Sequence, residues 1–152
     1  GCGDAEDLQN METFYRTSGA MTCEGLETLY GEKLDRNFRD TAFVRKVSSM
    51  TEEAGCTGSD LYYNVAVKMF ASDRSAKNAV RLAEMNAAAG NNDKAISYFT
   101  EAYNRDTSRV VRSEVLIRVA IMELGQGKRQ EARDRAEHAW QLNKKNAEAL
   151  GW

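Results

Sequence analysis

The sequence predicts an all-α protein built from antiparallel helical hairpins, and three observations lead to that prediction. Apolar and small residues recur through most of the chain with the 3.6-residue period of an α-helix. Proline is absent from the 152 residues, whereas average usage of about 5% would give roughly seven or eight, and long uninterrupted helices fit that absence. Finally, 35 residues separate Gly55 from Gly90 and 37 separate Gly90 from Gly127, with similar sequences around each glycine, which indicates a repeated unit.

The first hairpin is predicted over about residues 4–40. A helix is expected over about 4–16, a break at the sequence TSGAMT, and a second helix over about 23–38 whose leucines fall on one face. Residues 1–3 precede this hairpin and are interpreted as a remnant of cloning or processing.

The second hairpin, over about 41–75, is a looser copy of the unit. Its second helix lies in the stretch GCTGSDLYYNVAVKMF, which opens at Gly55. Apolar residues after this glycine occur about one position later than in the other copies, so the helix is expected to begin about one residue late. Its predicted contacts with the first helix are Leu61, Val65 and either Val67 or Lys68.

The third and fourth hairpins, over about 76–109 and 113–146, share one arrangement of short side chains. In GNNDKAISYFTEAYNRD, small or aromatic residues lie 5, 9 and 12 positions after the glycine, and GKRQEARDRAEHAWQLN repeats those offsets. Short side chains at these positions allow two helices to pack closely. The positions are Ala95, Phe99 and Ala102 in the third hairpin and Ala132, Ala136 and Ala139 in the fourth. A partial helix is predicted to follow over 147–152.

The first helix of each hairpin carries a matching pair of positions. A large apolar residue stands eight positions before the glycine and a smaller one seven before it, a combination that fills the space beside a close helix crossing. These residues are Val47, Leu82 and Val119, and Ser48, Ala83 and Ala120. We expect about seven helices in three and a half hairpins.

Composition and motifs exclude several classes of function. With 21 basic and 23 acidic side chains the formal net charge is -2, so the chain lacks the positive field of a nucleic-acid-binding protein. No apolar run approaches the ~18 residues of a membrane-spanning helix. Because His138 is the only histidine and motifs for nucleophilic catalysis, nucleotides and heme are missing, we predict no enzymatic activity and no cofactor. Cys2, Cys23 and Cys56 lack the paired spacing of a zinc site.

Helical hairpins at a period near 34 residues resemble the tetratricopeptide repeat family. The resemblance is strongest in 76–109, extends over 113–146 and is weaker in 41–75. The chain departs from the family at the aromatic residue early in the first helix and at the proline that closes each repeat. The replacements are Ala79 or Leu116 for the aromatic residue and Thr107 or Lys144 for the proline. The resemblance implies one domain over 4–152, folded as a right-handed α-solenoid with a concave ligand-binding surface.

The cysteines bear on the cellular compartment. In the hairpin register, Cys23 lies near the start of a second helix and Cys56 in the turn of the next hairpin, so both occupy the same end of the stack. Either the two form a disulfide, which would indicate an oxidising compartment, or they are buried free thiols. The stretches CEGLETLYGEKL and GCTGSDLYYNVAVKMF resemble exported tetratricopeptide proteins of Gram-negative envelopes, particularly those of Bacteroidetes. This resemblance implies the periplasm or cell envelope, with the cytoplasm as the alternative, and leaves Cys2 free, paired or lipid-bearing.

A set of cations indicates where a ligand would bind. Lys46, Arg81 and Arg118 each stand nine residues before a repeat glycine. In a stack of parallel first helices, equal offsets lie side by side, so these cations would line the concave surface. Arg45 and Lys77 extend the set, and Val80, Ile117 and Ile121 supply apolar contacts. The alternative is coincidence, since basic residues are common at exposed helix positions and neighbouring glutamates would neutralise them.

Two functions follow from these expectations. The first is a non-enzymatic protein-interaction module that holds an extended or acidic peptide, or a partner helix, in the groove. The second is a structural or assembly domain of a larger envelope protein or lipoprotein, in which the terminal AEALGW segment or an aromatic cluster packs on another domain. That cluster consists of Tyr62, Tyr63 and Phe70.

Overall fold

A computed structural model of the chain describes the backbone of residues 2–17 and 21–144 and the side chains of 8–14, 16 and 21–144. Over these ranges the protein is all-helical, with eight α-helices and no strand, so the predicted all-α class is confirmed. The expected number of about seven helices is too low, because the described residues form four pairs of helices. The first helix of the fourth pair begins at Arg109, four residues before the predicted start of that hairpin. The partial helix predicted over 147–152 lies outside the described residues.

The helices group into two compact units, residues 1–72 and 73–152. The first unit contains α1 (Cys2–Thr17), α2 (Cys23–Arg36), α3 (Thr41–Glu53) and α4 (Asp60–Ser72). The second contains α5 (Ala76–Ala88), α6 (Asn92–Arg105), α7 (Arg109–Gly125) and α8 (Arg129–Leu142). A single domain over 4–152 depends on how the two units associate and stays a prediction.

Capping side chains fix the start of the helix that opens each later hairpin. Asp40, Ser75 and Ser108 accept hydrogen bonds from the backbone N–H groups three residues further on, at 3.1, 3.3 and 3.2 Å. Each bond satisfies one of the free donors of a helix N-terminus. The boundaries between hairpins are therefore encoded locally.

The core of the first unit is built around α2, on which α1, α3 and α4 pack. Its apolar face is almost completely inaccessible, with Tyr30 as its largest side chain. The other buried residues of this core are Leu26, Leu29, Leu34, Val44, Val47, Cys56, Leu61 and Val65. The first helix begins at Cys2, two residues before its predicted start.

The second hairpin differs from its prediction after the turn. Leu61 and Val65 are buried as expected, but the remaining buried residues of α4 are Ala66 and Phe70, whereas Val67 and Lys68 are half-buried. The ammonium of Lys68 instead extends 3.5 Å from the carboxylate of Asp35 and 5.2 Å from the ring centre of Phe38. A longer turn causes the shift, because α4 begins five residues after Gly55 whereas α6 begins two residues after Gly90.

The second unit confirms the predicted arrangement of short side chains. All six residues at offsets 5, 9 and 12 from Gly90 and Gly127 are at most 1% exposed. In the last hairpin the hydroxyl of Ser113 donates a buried hydrogen bond of 3.1 Å to the carbonyl of Ala139. Since α6 also packs on α7, the two hairpins of this unit pack directly on each other.

The repeat glycines end their helices in the same way. Gly55, Gly90 and Gly127 have φ angles of +73°, +82° and +79°, a left-handed conformation that glycine adopts without steric cost. The backbone N–H of the following residue bonds a carbonyl five positions earlier, at 2.8, 2.9 and 2.8 Å, which is the Schellman arrangement. The accepting residues are Thr51, Asn86 and Glu123, and all three are buried. The glycines thus mark one recurring helix end.

Candidate interaction surface

The groove residues predicted in the second unit lie on α5 and α7, which an ion pair connects. Lys77, Val80 and Arg81 share one face of α5 with Glu84, because they are spaced three, four and seven residues apart. The guanidinium of Arg118 on α7 lies 3.0 Å from the carboxylate of Glu84. This ion pair connects the two helices at Arg118, one of the predicted residues.

An exposed row of apolar residues runs along α7. Val110, Ile121 and Leu124 are 52%, 49% and 42% exposed, and Ile117 between them is half-buried. Their spacing places them on one face of the helix, opposite the buried face. We call these four residues the α7 stripe. Ile117 and Ile121 were predicted from the sequence, whereas Val110 and Leu124 extend the same row by one or two turns and were missed.

One of the two predicted cations of the first unit, Lys46, has an intramolecular partner on α1. The ammonium of Lys46 lies 2.8 Å from one carboxylate oxygen of Glu12, and the hydroxyl of Tyr30 donates a 2.7 Å hydrogen bond to the same oxygen. Arg45, one residue earlier, is exposed. Because these residues belong to the first unit and the others to the second, a continuous row from Lys46 to Arg118 stays a prediction.

The buried carboxylate of Glu12 is stabilised in its charged form. Burial on its own would raise the pKa of Glu12, but the hydrogen bonds from Lys46 and Tyr30 outweigh it and hold that pKa below its usual value. Burial and the nearby carboxylate raise the pKa of Tyr30 well above its ordinary range. The network therefore joins α1 to α2 and α3 with one fixed negative charge.

Cys23 and Cys56 are brought together at the distance of a disulfide bond. Their sulfur atoms are 2.05 Å apart and their Cα atoms 5.6 Å apart, within the range that a disulfide requires. The pair links the first residue of α2 to the turn between α3 and α4. It closes a segment of 33 residues.

The residues considered for other roles have ordinary surroundings. The imidazole of His138 is exposed and meets the ring of Tyr103 edge to face, with 6.1 Å between ring centres. Within the described ranges, no three His, Cys, Asp or Glu side chains are placed to hold a metal ion. In the aromatic cluster, Phe70 is buried, Tyr62 and Tyr63 are half-buried, and the hydroxyl of Tyr62 bonds Glu52 at 2.9 Å.

Two recurring positions were missed from the sequence. Five residues before each repeat glycine stands a half-buried methionine, and four before it stands the buried polar residue of the Schellman turn. The methionines are Met50, Met85 and Met122. Aligning the three glycines alone would have revealed both positions.

Comparison with models of known protein families gave no match, and neither did comparison with curated proteins. In the part of the chain that the structure describes, every helix is too short or too polar to cross a lipid bilayer.

Proposed function

We propose that this protein is a non-enzymatic interaction module that binds the apolar side of an extended peptide or partner helix along α5 and α7. The observation that carries the proposal is the α7 stripe. A helix that is apolar on its buried face and also on the opposite face is expected to be covered on both sides. The buried face of α7 packs on α6 and α8, and the stripe remains for a partner.

The neighbouring charges determine how such a partner is oriented. Arg118 and Glu84 are each about half exposed, and an ion pair of this kind contributes only about 0–1 kcal/mol to stability. An acidic group of the partner can therefore displace Glu84 from Arg118 at small cost. We infer that apolar contact with the stripe supplies most of the affinity, and that Arg118 selects partners with an acidic residue beside their apolar face.

We also propose that the hairpins stack as a right-handed, tetratricopeptide-like solenoid in an exported protein. The spacing of the repeat glycines, the shared Schellman turns and the buried small residues support the stacking. The Cys23–Cys56 distance supports export, since disulfides persist in oxidising compartments. Alkylation of the unreduced protein followed by mass measurement should show these two cysteines protected. Free thiols at both positions after isolation from an oxidising compartment would remove the support for export.

Selection from a displayed library of random peptides tests the interaction. We expect the enriched peptides to combine spaced apolar residues with an acidic residue, and to bind the purified chain. Ile121→Ser should weaken binding at least tenfold, because it removes exposed apolar surface without touching the core. Arg118→Glu should weaken acidic peptides selectively, whereas Arg133→Glu, an exposed arginine on α8, should leave binding unchanged.

Glu84→Gln should change the affinity for acidic peptides in the opposite direction to Arg118→Glu. Removing the carboxylate that competes for Arg118 should strengthen binding of acidic peptides a few-fold. Equal binding by the Ile121→Ser and wild-type chains would contradict the proposal.

A second candidate is an assembly domain of a larger envelope protein. Trp140 on α8 favours it, being 38% exposed with the ammonium of Lys144 4.9 Å from its ring centre. In that case Trp140→Ser would weaken association with another domain, and Ile121→Ser would not.

A further inference from the structure

A cavity of about 280 Å³ opens between α6 and α8 on the other side of α7. Val115, Leu116 and Val119 of α7 form its floor. Helical spacing places these three residues on the face opposite the α7 stripe. The cavity is therefore distinct from the proposed interaction surface, and a ligand could occupy it whether or not a partner binds the stripe.

The residues of the cavity floor keep a small accessible surface that the equivalent positions of the other repeats lack. Val119 stands eight residues before its glycine and is 5% exposed, whereas Val47 and Leu82, at the same repeat position, are 0% exposed. Protein interiors are close-packed. The last repeat thus leaves the edge of this apolar surface in contact with the cavity.

One wall of the cavity is the ring of Tyr103, against which the guanidinium of Arg112 packs. The guanidinium carbon of Arg112 lies 4.5 Å from the ring centre of Tyr103, and Nε of Arg112 donates hydrogen bonds to the carbonyls of Tyr103 and Asp106. His138 meets the same ring at an interplanar angle of 66°. An aromatic ligand would find a preset edge-to-face partner here.

Among the polar residues that line the cavity is Arg135, whose guanidinium a buried carboxylate holds in place. Thr51 and Asn86, at the position four before the glycine, bond carbonyls of their own helices. Glu123 occupies that position in the last repeat, and it instead accepts a 3.2 Å hydrogen bond from Nε of Arg135 on α8. The Glu123 side chain is 7% exposed and that of Arg135 is 50% exposed. The two terminal nitrogens of Arg135 make no hydrogen bond to any described residue and remain as donors beside the cavity.

We propose that this cavity binds an aromatic carboxylate, with the ring on Val115, Leu116 and Val119 and the carboxylate on Arg135. The volume is slightly below the ~300 Å³ at which sites for drug-sized ligands begin, so it suits one ring with a short chain. A guanidinium with two parallel donors matches the geometry of a carboxylate. The same chemistry is offered by a free aromatic acid and by a phenylalanine at the C-terminus of a peptide.

Titration of the full chain with three probes, followed by two-dimensional amide NMR, tests the proposal. The probes are 3-phenylpropanoate, its uncharged amide, and N-acetyl-phenylalanine as a mimic of a peptide C-terminus. We expect the carboxylates to shift the amide signals of Thr100, Tyr103 and His138, and the amide to bind at least tenfold more weakly. Stronger binding of 3-phenylpropanoate would identify a free acid as the ligand, and stronger binding of N-acetyl-phenylalanine would identify a peptide end.

Matched variants separate the cavity from general surface binding. Thr100→Phe places a ring in the cavity and should abolish binding, whereas Lys94→Phe, at an exposed position of α6 turned away from the lining residues, should leave it unchanged. Arg135→Gln should weaken the carboxylates about tenfold and leave the amide unaffected. Because Arg135→Gln leaves Glu123 buried without its partner, the double variant E123Q/R135Q is measured beside it and should give the same loss in a folded chain.

Failure of all three probes to shift these signals at millimolar concentration would overturn the proposal. Equal binding of the acid and its amide would overturn the role of Arg135. Unchanged binding in Thr100→Phe would place the ligand elsewhere and likewise overturn the site.

Discussion

Single residues account for the regular spacing of the repeats. A helix can end in the Schellman arrangement only where one residue adopts positive φ, and Gly55, Gly90 and Gly127 do so. The buried residue four positions before each glycine accepts the closing bond through its backbone, so its side chain is free to vary. It is threonine, asparagine and glutamate in turn, and the glutamate accepts a hydrogen bond from Arg135 of another helix.

Two glycines in one turn should respond to alanine with opposite signs. Gly127 has φ +79° and no atom that a Cβ would meet within 4 Å, so Gly127→Ala carries a purely conformational cost of about 1–2 kcal/mol. Gly125 is the last residue of α7 and has equal space, and Gly125→Ala should stabilise by up to about 1 kcal/mol. Urea unfolding of both variants checks this. A neutral or stabilising Gly127→Ala would show that the turn does not require positive φ.

The carboxylate of Glu12 should make the first unit sensitive to acid. Its pKa is lowered in the folded chain from the ordinary value of 4.5, so the folded state binds fewer protons between the two values. The stabilisation is complete above pH 4.5 and is lost as the pH falls through the lowered pKa. Glu12→Gln should cost about 1–3 kcal/mol at pH 7, because the two hydrogen bonds then have a neutral amide oxygen as acceptor in place of a charged carboxylate.

Urea unfolding over a range of pH measures that effect. The difference between Glu12→Gln and wild type should shrink as the pH falls below 4.5. Glu131→Gln, an exposed glutamate on α8, serves as the control and should change stability little at any pH. A constant difference for Glu12→Gln from pH 7 to pH 3 would contradict the assigned pKa direction.

At the scale of helices, the sequence predicted the hairpins correctly where the spacing of residues after the repeat glycine is enough to define the buried face. The offsets from Gly90 and Gly127 predicted which residues of α6 and α8 are buried, because helical period and close packing depend only on neighbours along the chain. Prediction failed in α4, where the turn after Gly55 is longer than in the other repeats. There the hydroxyl of Ser59 donates a 2.6 Å hydrogen bond to the carbonyl of Cys56. The spacing of the repeat glycines does not predict this bond.

At the scale of the whole molecule, the disulfide and the core around Tyr30 belong to the first unit alone. The second unit has its own buried residues on all four of its helices. Units with separate cores can open separately. Loss of the disulfide should therefore act on one half of the chain.

The double variant C23S/C56S tests that expectation. Opening a segment of 33 residues should destabilise the first unit by about 3–4 kcal/mol in the chain-entropy model. Amide hydrogen exchange should speed up in 21–72 and change little in 73–144, and Cys2→Ser, which leaves the pair intact, should behave as wild type. Equal acceleration in both ranges would show that the two units unfold together.

The sequence by itself determined the all-α class, the alternation of helices in pairs, the helix-ending glycines and the buried small residues, since each follows from spacing within one or two helices. It also pointed to Cys23 and Cys56 as a pair and to Arg118 and Ile121 as surface residues. Only the tertiary structure decided which acid pairs with Arg118 and which residues of the α7 stripe are exposed to solvent. It also decided that Glu123 holds Arg135 beside an open cavity. Those features depend on distances between helices, which the period of a single helix does not contain.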